Sequence, residues 1–172
     1  KVAVADIDGV LRGKYLHKDK FLSAADGGFG FCNVVFGWDM TDSVYDNTHV
    51  IGWQHGFPDA MVQLDMATGR NVPWDGDVPF FLGDFINADG SPFPICPRQL
   101  LKQVIQRGQK LGVQPMCGLE FEWFNFAETP HSWAAKKGVD PTPLTPGMFG
   151  YSLLRSNANR EYFNALMDQL LL

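Results

Sequence analysis

The chain has 172 residues, enough for one domain or one and a half, and its 45% apolar and 19% charged residues are ordinary for a globular protein. Its 14 Phe, 5 Trp and 4 Tyr exclude disorder of the whole chain, and a net charge of −5 without a basic patch argues against nucleic acid as a partner. No stretch is apolar for long enough to span a membrane, and no signal peptide is visible. The three cysteines, Cys32, Cys96 and Cys117, form no C-x-x-C pair, which favours a reducing, cytoplasmic location.

The N-terminal part of the chain alternates short strand patterns with turn signals. Val2 to Ile7 predicts a strand, Asp8-Gly9 predicts a turn, and Lys14 to His17 predicts the returning strand of a hairpin. The sequence then predicts a short helix over 18–25 and strands over 29–37, 60–66 and 78–86.

The second part begins with a linker at Pro94 to Pro97 and the clearest helix of the chain. Pro97 suits the first turn of that helix, and Gly112 suits its end. Residues 129–150 form a long loop rich in Pro and Gly, and loops of that length are typical of functional or mobile segments. Residues 159–172 predict an amphipathic helix.

Both ends of the chain predict that it is part of a longer protein. It begins directly in a strand pattern without an initiator Met, and its last helix carries no stop signal and ends on leucines. The alternative is a complete small protein whose C-terminal helix docks on its own core.

Glu120 and Glu122 lie two residues apart in an aromatic and apolar run, Met116 to Phe126. In a strand both side chains point to one face, with Cα atoms roughly 6.6 Å apart for a rise of about 3.3 Å per residue. If that strand is buried, the two acids need a shared proton or cations between them. Oxygen ligands favour hard ions, so the pair predicts a magnesium or manganese site. The alternative is an edge strand with both glutamates facing water.

The N-terminal run Val2 to Leu11 offers a second interpretation. A strand that leads into D-x-D-G-[TV]-L resembles the first motif of haloacid-dehalogenase-like phosphatases, in which Asp6 would be the nucleophile and Asp8 the general acid or base. That fold requires a helix after the motif and repeated strand–helix units, and this chain predicts a return strand instead. The local alternative is a tight hairpin with Asp8-Gly9 as its turn.

Three segments in order resemble the glutamine synthetase family. Gly118 to Phe126 resembles the family's pattern of a Gly, E-x-E and aromatic residues, and Phe80 to Arg98 resembles the entry into its catalytic domain. Asp6 to Tyr15 resembles the first hairpin of the family's N-terminal β-grasp domain. The resemblance implies an α+β fold, with a β-grasp-like mixed sheet over residues 1–93. It also implies an incomplete part of the catalytic domain over 94–172, holding that domain's first helix–strand–helix.

The resemblance also implies an activity. The family joins the γ-carboxyl group of glutamate to ammonia, or to a larger amine, with ATP and through glutamyl phosphate. Glu120 and Glu122 would then each bind one of two divalent cations, Mg²⁺ or Mn²⁺. The intact protein is expected to form a ring-shaped homo-oligomer with small-molecule substrates, and this fragment is expected to be inactive alone.

One departure from the family concerns the loop that helps to bind ammonium. Typical members carry D-G-S-S, and this chain has Phe36 to Asp42 in its place. Asp39 or Asp42 would supply the carboxylate of the amine site, and Trp38 an aromatic wall for a cation. The departure suggests a branch that takes another amine, such as a polyamine. The alternatives are an ordinary Asx turn in this loop and, for the whole chain, a non-catalytic β-grasp interaction module.

Overall fold

The computed structural model describes residues 1–147 and 149–170, which form two compact units, Lys1–Met116 and Cys117–Leu172. The described strands and α-helices of the first unit are β1 (Val2–Ala5), β2 (Leu11–Lys14), α1 (Lys18–Gly27), β3 (Phe29–Cys32), β4 (Asp59–Val72), β5 (Val78–Ile86) and α2 (Pro97–Lys110). Short 3₁₀ turns cover Asn33–Phe36, Trp53–His55 and Pro73–Asp75. The described helices of the second unit are α3 (Pro130–Ala135), α4 (Leu153–Ala158) and α5 (Arg160–Leu170).

The strands of the first unit form one mixed sheet with the order β2-β1-β5-β4-β3. β1 and β2 make an antiparallel hairpin, in which Val4 lies opposite Arg12. The hairpin was predicted, but its returning strand covers Leu11–Lys14 and not Lys14 to His17. β1 runs parallel to β5, whereas the pairs β5–β4 and β4–β3 are antiparallel. A mixed sheet with a few helices confirms the predicted α+β class.

One face of this sheet carries an aromatic core. Alternate residues of a strand share a face, so Val2 and Val4 are both fully buried. Phe85 is the largest fully buried side chain, and the rings of Phe36 and Phe93 lie 4.7 and 6.1 Å from its ring. Other buried members of the core are Ala24, Phe29, Phe31, Val35, Ile51, Val62, Leu64 and Cys96. The core therefore fixes the residues just after β3 against the sheet.

Helix α2 is attached to the sheet by two cations that share two carboxylates. Arg98 donates to Asp84 and Asp65, each at 3.1 Å, and Lys102 donates to the same pair at 2.5 and 2.8 Å. The Asp84 side chain is only 7% exposed, and the hydrogen bond from Lys102 is the main cause that lowers the pKa of Asp65. Apolar side chains of the same helix stay exposed: Leu100, Leu101, Val104 and Ile105.

Most elements of the first unit confirm the sequence predictions. The predicted helices are formed, and the strand expected over 60–66 continues to Val72 with an irregularity between Asp65 and Arg70. The strand expected over 29–37 is shorter, because a 3₁₀ turn begins at Asn33 and is closed by the bond from the Gly37 amide to the Val34 carbonyl.

The strand predicted around Glu120 and Glu122 is wrong. Residues 113–125 have no regular secondary structure. An extended segment becomes a strand only when a neighbour takes up its backbone N–H and C=O groups, and in the described residues no strand lies beside this one. Further along, Phe126 makes an isolated antiparallel bridge to Pro143.

The second unit contains more helices than predicted, and they are short. Part of the loop expected over 129–150 is helix α3, and the helix expected from Asn159 is preceded by α4. Residues 148, 171 and 172 of these two predictions lie outside the described residues. Helix α2 belongs to the first compact unit, whereas the predicted domain boundary lies at 93/94; that boundary stays a prediction. None of the helices described is long and apolar enough to cross a membrane.

Asp84→Asn is expected to destabilise the first unit by about 1–3 kcal/mol, because it leaves Arg98 and Lys102 without a buried carboxylate. Urea unfolding of the full-length protein measures the loss. Asp77→Asn is the matched control, since Asp77 is exposed and asparagine tolerates its positive φ. Equal stability of the two variants would contradict a structural role for the Asp84 ion pairs.

Candidate functional site

Asp6 is the most deeply buried charged residue of the first hairpin, with no exposed surface. Its Oδ1 accepts hydrogen bonds from the amides of Asp8 and Val10 at 3.0 and 2.8 Å. Its Oδ2 accepts from Arg12 Nε at 2.8 Å. Both oxygens are therefore used to close the turn and to hold the arginine, as expected for a buried carboxylate.

Arg12 extends from this hairpin to the loop at 38–43. One terminal nitrogen donates to Asp42 Oδ1 at 2.5 Å, and the other donates to the carbonyl of Asp39 at 3.3 Å. The guanidinium carbon lies 4.9 Å from the ring centre of Trp38. One side chain thus joins β2, a buried acid and three residues of the loop in which the amine site was predicted.

The loop itself is an Asx turn, one of the alternatives that the sequence left open. Asp39 Oδ1 accepts from the Thr41 amide, the Thr41 hydroxyl and the Ser43 amide at 2.8, 2.7 and 3.0 Å. The Asp42 amide donates to the Asp39 carbonyl, and Asp42 has the left-handed φ of 65° that asparagine and aspartate tolerate best. Asp39 is thereby committed to shaping the turn, while the Asp42 side chain stays 58% exposed.

The electrostatics of this cluster are set by hydrogen bonds. The bond from Thr41 is the largest cause that lowers the pKa of Asp39, and the bond to Asp6 is the largest that raises the pKa of Arg12. Burial, followed by the charge of Asp8, raises the pKa of the nearby Tyr45. The loop therefore presents the exposed carboxylate of Asp42 beside the fixed cation of Arg12.

Arg12 is the residue of this cluster that the sequence analysis did not single out. It lay between the predicted turn at Asp8-Gly9 and the predicted return strand at Lys14 to His17, whereas the structure places it within β2. The available signal was the hairpin itself, because an acid at the end of one strand and a cation on the returning strand lie close in space.

The other predicted site residues, Glu120 and Glu122, are both exposed, which corrects the prediction of a buried strand face. Their apolar neighbours are exposed as well: Leu119, Phe121, Trp123 and Phe124. Within the described residues, neither glutamate makes an ion pair, and nowhere do three or more His, Cys, Asp or Glu residues come together as a group able to hold a metal ion. Their role as metal ligands stays a prediction.

Glu128 is a partly buried acid of the second unit that the sequence analysis did not single out. Its carboxylate accepts hydrogen bonds from Lys136 Nζ, Ser132 Oγ and the Thr142 amide at 2.5, 2.5 and 2.6 Å. The bond from Lys136 is the largest of the causes that lower the pKa of Glu128 to about 2. With the Thr129 cap of α3, this network orders the first half of the predicted loop.

An aromatic cavity of about 360 Å³ also lies within the second unit. Trp123, Phe126 and Phe149 are among its walls. Arg155 stacks on the Phe149 ring at 3.9 Å and donates to the Pro146 carbonyl at 2.5 Å. These contacts use the arginine to close the loop around the cavity.

Comparison with known proteins confirms the predicted resemblance. The chain is 49% identical over 168 residues to the type-1 glutamine synthetase 2 of Dictyostelium discoideum, which covers 98% of the chain and 32% of that protein. It is 31% identical over 162 residues to a glutamate–isopropylamine ligase of Pseudomonas sp (94% and 35%). It is 30% identical over 156 residues to a gamma-glutamylethanolamide synthetase of Streptomyces coelicolor (89% and 33%).

The chain thus spans about a third of the length of the curated relatives that it matches. The crystal structure of a novel glutamine synthase homolog has the same fold over 78% of this chain and 34% of its own, with a TM-score of 0.54 and 20% identity. No protein-family model matches the chain.

Glu128→Gln is expected to loosen the second unit, because it removes the charge that the Lys136 ammonium group and the Ser132 hydroxyl bind. The pKa of Glu128 is depressed from 4.5 to about 2 in the folded state, so its contribution is fully present above 4.5 and is lost as the pH falls towards about 2. Amide hydrogen exchange of Ala127 and Leu144 is the measurement.

The exposed Glu161→Gln serves as control, and the difference between the two variants should shrink as the medium is acidified below pH 4.5. A difference that does not change with pH would contradict the charge network.

Proposed function

Because the chain is homologous to glutamine synthetases and γ-glutamyl-amine ligases, we propose that it forms part of an ATP-dependent ligase. The enzyme joins the γ-carboxyl group of glutamate to ammonia or another amine through glutamyl phosphate. The observation that carries the proposal is the similarity to a type-1 glutamine synthetase over almost the whole chain. Two further relatives are named as a glutamate–isopropylamine ligase and a gamma-glutamylethanolamide synthetase, so a larger amine is the alternative acceptor to ammonia.

In this proposal Glu120 and Glu122 are two of the ligands of Mg²⁺ or Mn²⁺. The fit is chemical: both are carboxylates that face solvent, and hard divalent ions take oxygen ligands. Two carboxylates are an incomplete site, so further ligands come from the remaining part of the full-length protein. When bound, such ions neutralise phosphate oxygens during phosphoryl transfer. This chain would contribute two carboxylate ligands that are separated by one residue, Phe121.

The loop at 38–43 is the proposed amine site of this ligase. Asp42 is its best carboxylate, because its side chain is exposed, whereas Asp39 is partly buried and its Oδ1 accepts three hydrogen bonds within the turn. The part expected of Trp38 changes: the Arg12 guanidinium already lies over its ring, so Trp38 supports the loop instead of facing the substrate cation. In a ring-shaped homo-oligomer, we expect this loop to enter the active site of the neighbouring subunit.

The phosphatase interpretation has little support in the geometry. A nucleophilic aspartate must present a free oxygen to the phosphorus atom, and Asp6 is fully buried with both oxygens hydrogen-bonded. Asp8 is exposed at the tip of the turn. The motif is explained by the hairpin, in which Asp6 caps the turn and binds Arg12.

Glu120→Ala and Glu122→Ala are each expected to weaken Mn²⁺ binding to the full-length protein at least about tenfold, because each removes a charged oxygen ligand. Calorimetric titration with Mn²⁺, with and without ATP, is the measurement. Glu161→Ala is the matched control, an exposed glutamate of the same unit. Metal uptake that neither substitution changes would count against the assignment and would favour a non-catalytic β-grasp module.

Asp6→Asn is expected to lower the free energy of unfolding by about 1–3 kcal/mol, because it breaks a buried charged pair. Asp8→Asn is expected to leave stability unchanged. Urea unfolding and hydrolysis of p-nitrophenyl phosphate are measured together on both variants. Phosphate-ester hydrolysis by the wild type that either substitution abolishes without unfolding the protein would restore the phosphatase interpretation.

A further inference from the structure

The Arg12 guanidinium makes hydrogen bonds through all three of its nitrogens. Each of its three nitrogens donates a hydrogen bond, to Asp6, to Asp42 and to the Asp39 carbonyl, and its flat face lies over Trp38. Only 18% of its side chain is exposed. The planar guanidinium can donate to these three acceptors at the same time, whereas a lysine ammonium group cannot reproduce this geometry.

The position of Arg12 is dictated by the hairpin. Asp6 is completely buried, and a buried carboxylate requires a cation or a dense set of donors. The turn supplies two backbone donors, and Arg12 supplies the charge. The arginine therefore has a fixed place on the sheet whether or not the loop is in contact with it.

The loop, in contrast, gets its shape from local hydrogen bonds, and its position from the packing of Trp38 against the core and from the hydrogen bonds of Arg12. The bonds of Asp39 to Thr41 and Ser43 lie inside the loop and fix only its curvature. Among the described residues, the side-chain hydrogen bonds that tie 38–43 to the sheet come from Arg12. The anchored cation thus sets the place and direction of the Asp42 carboxylate.

We propose that Arg12 is a positioning residue of the amine site, which holds Asp42 by one carboxylate oxygen and leaves the other for the substrate ammonium group. The inference rests on the proposed function. Asp42 Oδ1 is bound to Arg12, and the described residues provide no partner for its second oxygen. Asp42 is thereby the carboxylate that the amine meets, and the buried Asp6–Arg12 pair determines how precisely it is placed.

The test uses variants of the full-length protein that separate positioning from folding. Arg12→Lys keeps the charge beside Asp6 but loses the fork. The double variant Asp6→Asn, Arg12→Gln replaces the buried ion pair by two neutral amides and avoids an unpaired buried charge. Arg70→Ala is the control, because it removes an exposed arginine of the same sheet that has no ion pair among the described residues.

Two readouts are measured for each variant. The first is steady-state ligation with glutamate, ATP and either isopropylamine or ammonia. Arg12→Lys and the double variant are expected to raise the KM for the amine about tenfold or more, with the KM for ATP unchanged, as loss of one charge-assisted anchor implies. The second is the fluorine NMR signal of fluorotryptophan at Trp38, assigned with Trp38→Phe, which is expected to shift and broaden as the loop is released.

The outcomes separate this inference from the proposed function. A shifted Trp38 signal with an unchanged amine KM would overturn the positioning role while leaving the ligase intact. An unshifted signal in both variants would overturn the premise that Arg12 holds the loop in place. A wild type without ligase activity on either amine would overturn the proposed function and, with it, the positioning role.

Discussion

A carboxylate that is taken out of water needs a cation and hydrogen-bond donors, and the first unit is organised around two such groups. Asp6 accepts hydrogen bonds from two backbone amides and from Arg12, and Asp84 accepts hydrogen bonds from Arg98 and Lys102. The first pair fixes the hairpin to the loop, and the second fixes helix α2 to the sheet. Removing one partner would leave an unpaired buried charge, which is costly. Each pair therefore fixes which elements contact each other, while its net contribution to stability is small.

Local patterns predicted the elements of the first unit well, and long-range pairing was beyond them. The hairpin follows from Asp8-Gly9, and α2 follows from Pro97 and its helical spacing, because turn and cap signals lie within a few residues of each other. The parallel contact of β1 with β5 has no such signal. The failed strand at 113–125 shows the same limit: its residues have strand composition, but a strand also needs a neighbour, which local sequence does not specify.

The acids of the candidate site could be predicted from the sequence, and their partners could not. Asp39 and Asp42 stand out as carboxylates in a turn-rich loop. Asp39 is used by hydrogen bonds within the turn, whereas Asp42 is held by Arg12, which is distant from it in the chain and is placed there by a buried acid. Glu128 went unnoticed for the opposite reason: its partners lie close by, but nothing in its immediate neighbours distinguishes a buried glutamate from an exposed one.

The exposed segment at 113–125 connects the fold to the proposed chemistry. Isolated apolar side chains on a surface are normal, whereas Leu119, Phe121 and Phe124 exposed beside two acids make a contiguous patch that a soluble protein normally covers. Two carboxylates exposed close together repel each other, and a divalent ion bound between them removes that repulsion. Under the proposed function, such an ion would also tie together two points of a segment that has no strand partner among the described residues, so metal binding and ordering of this segment are coupled.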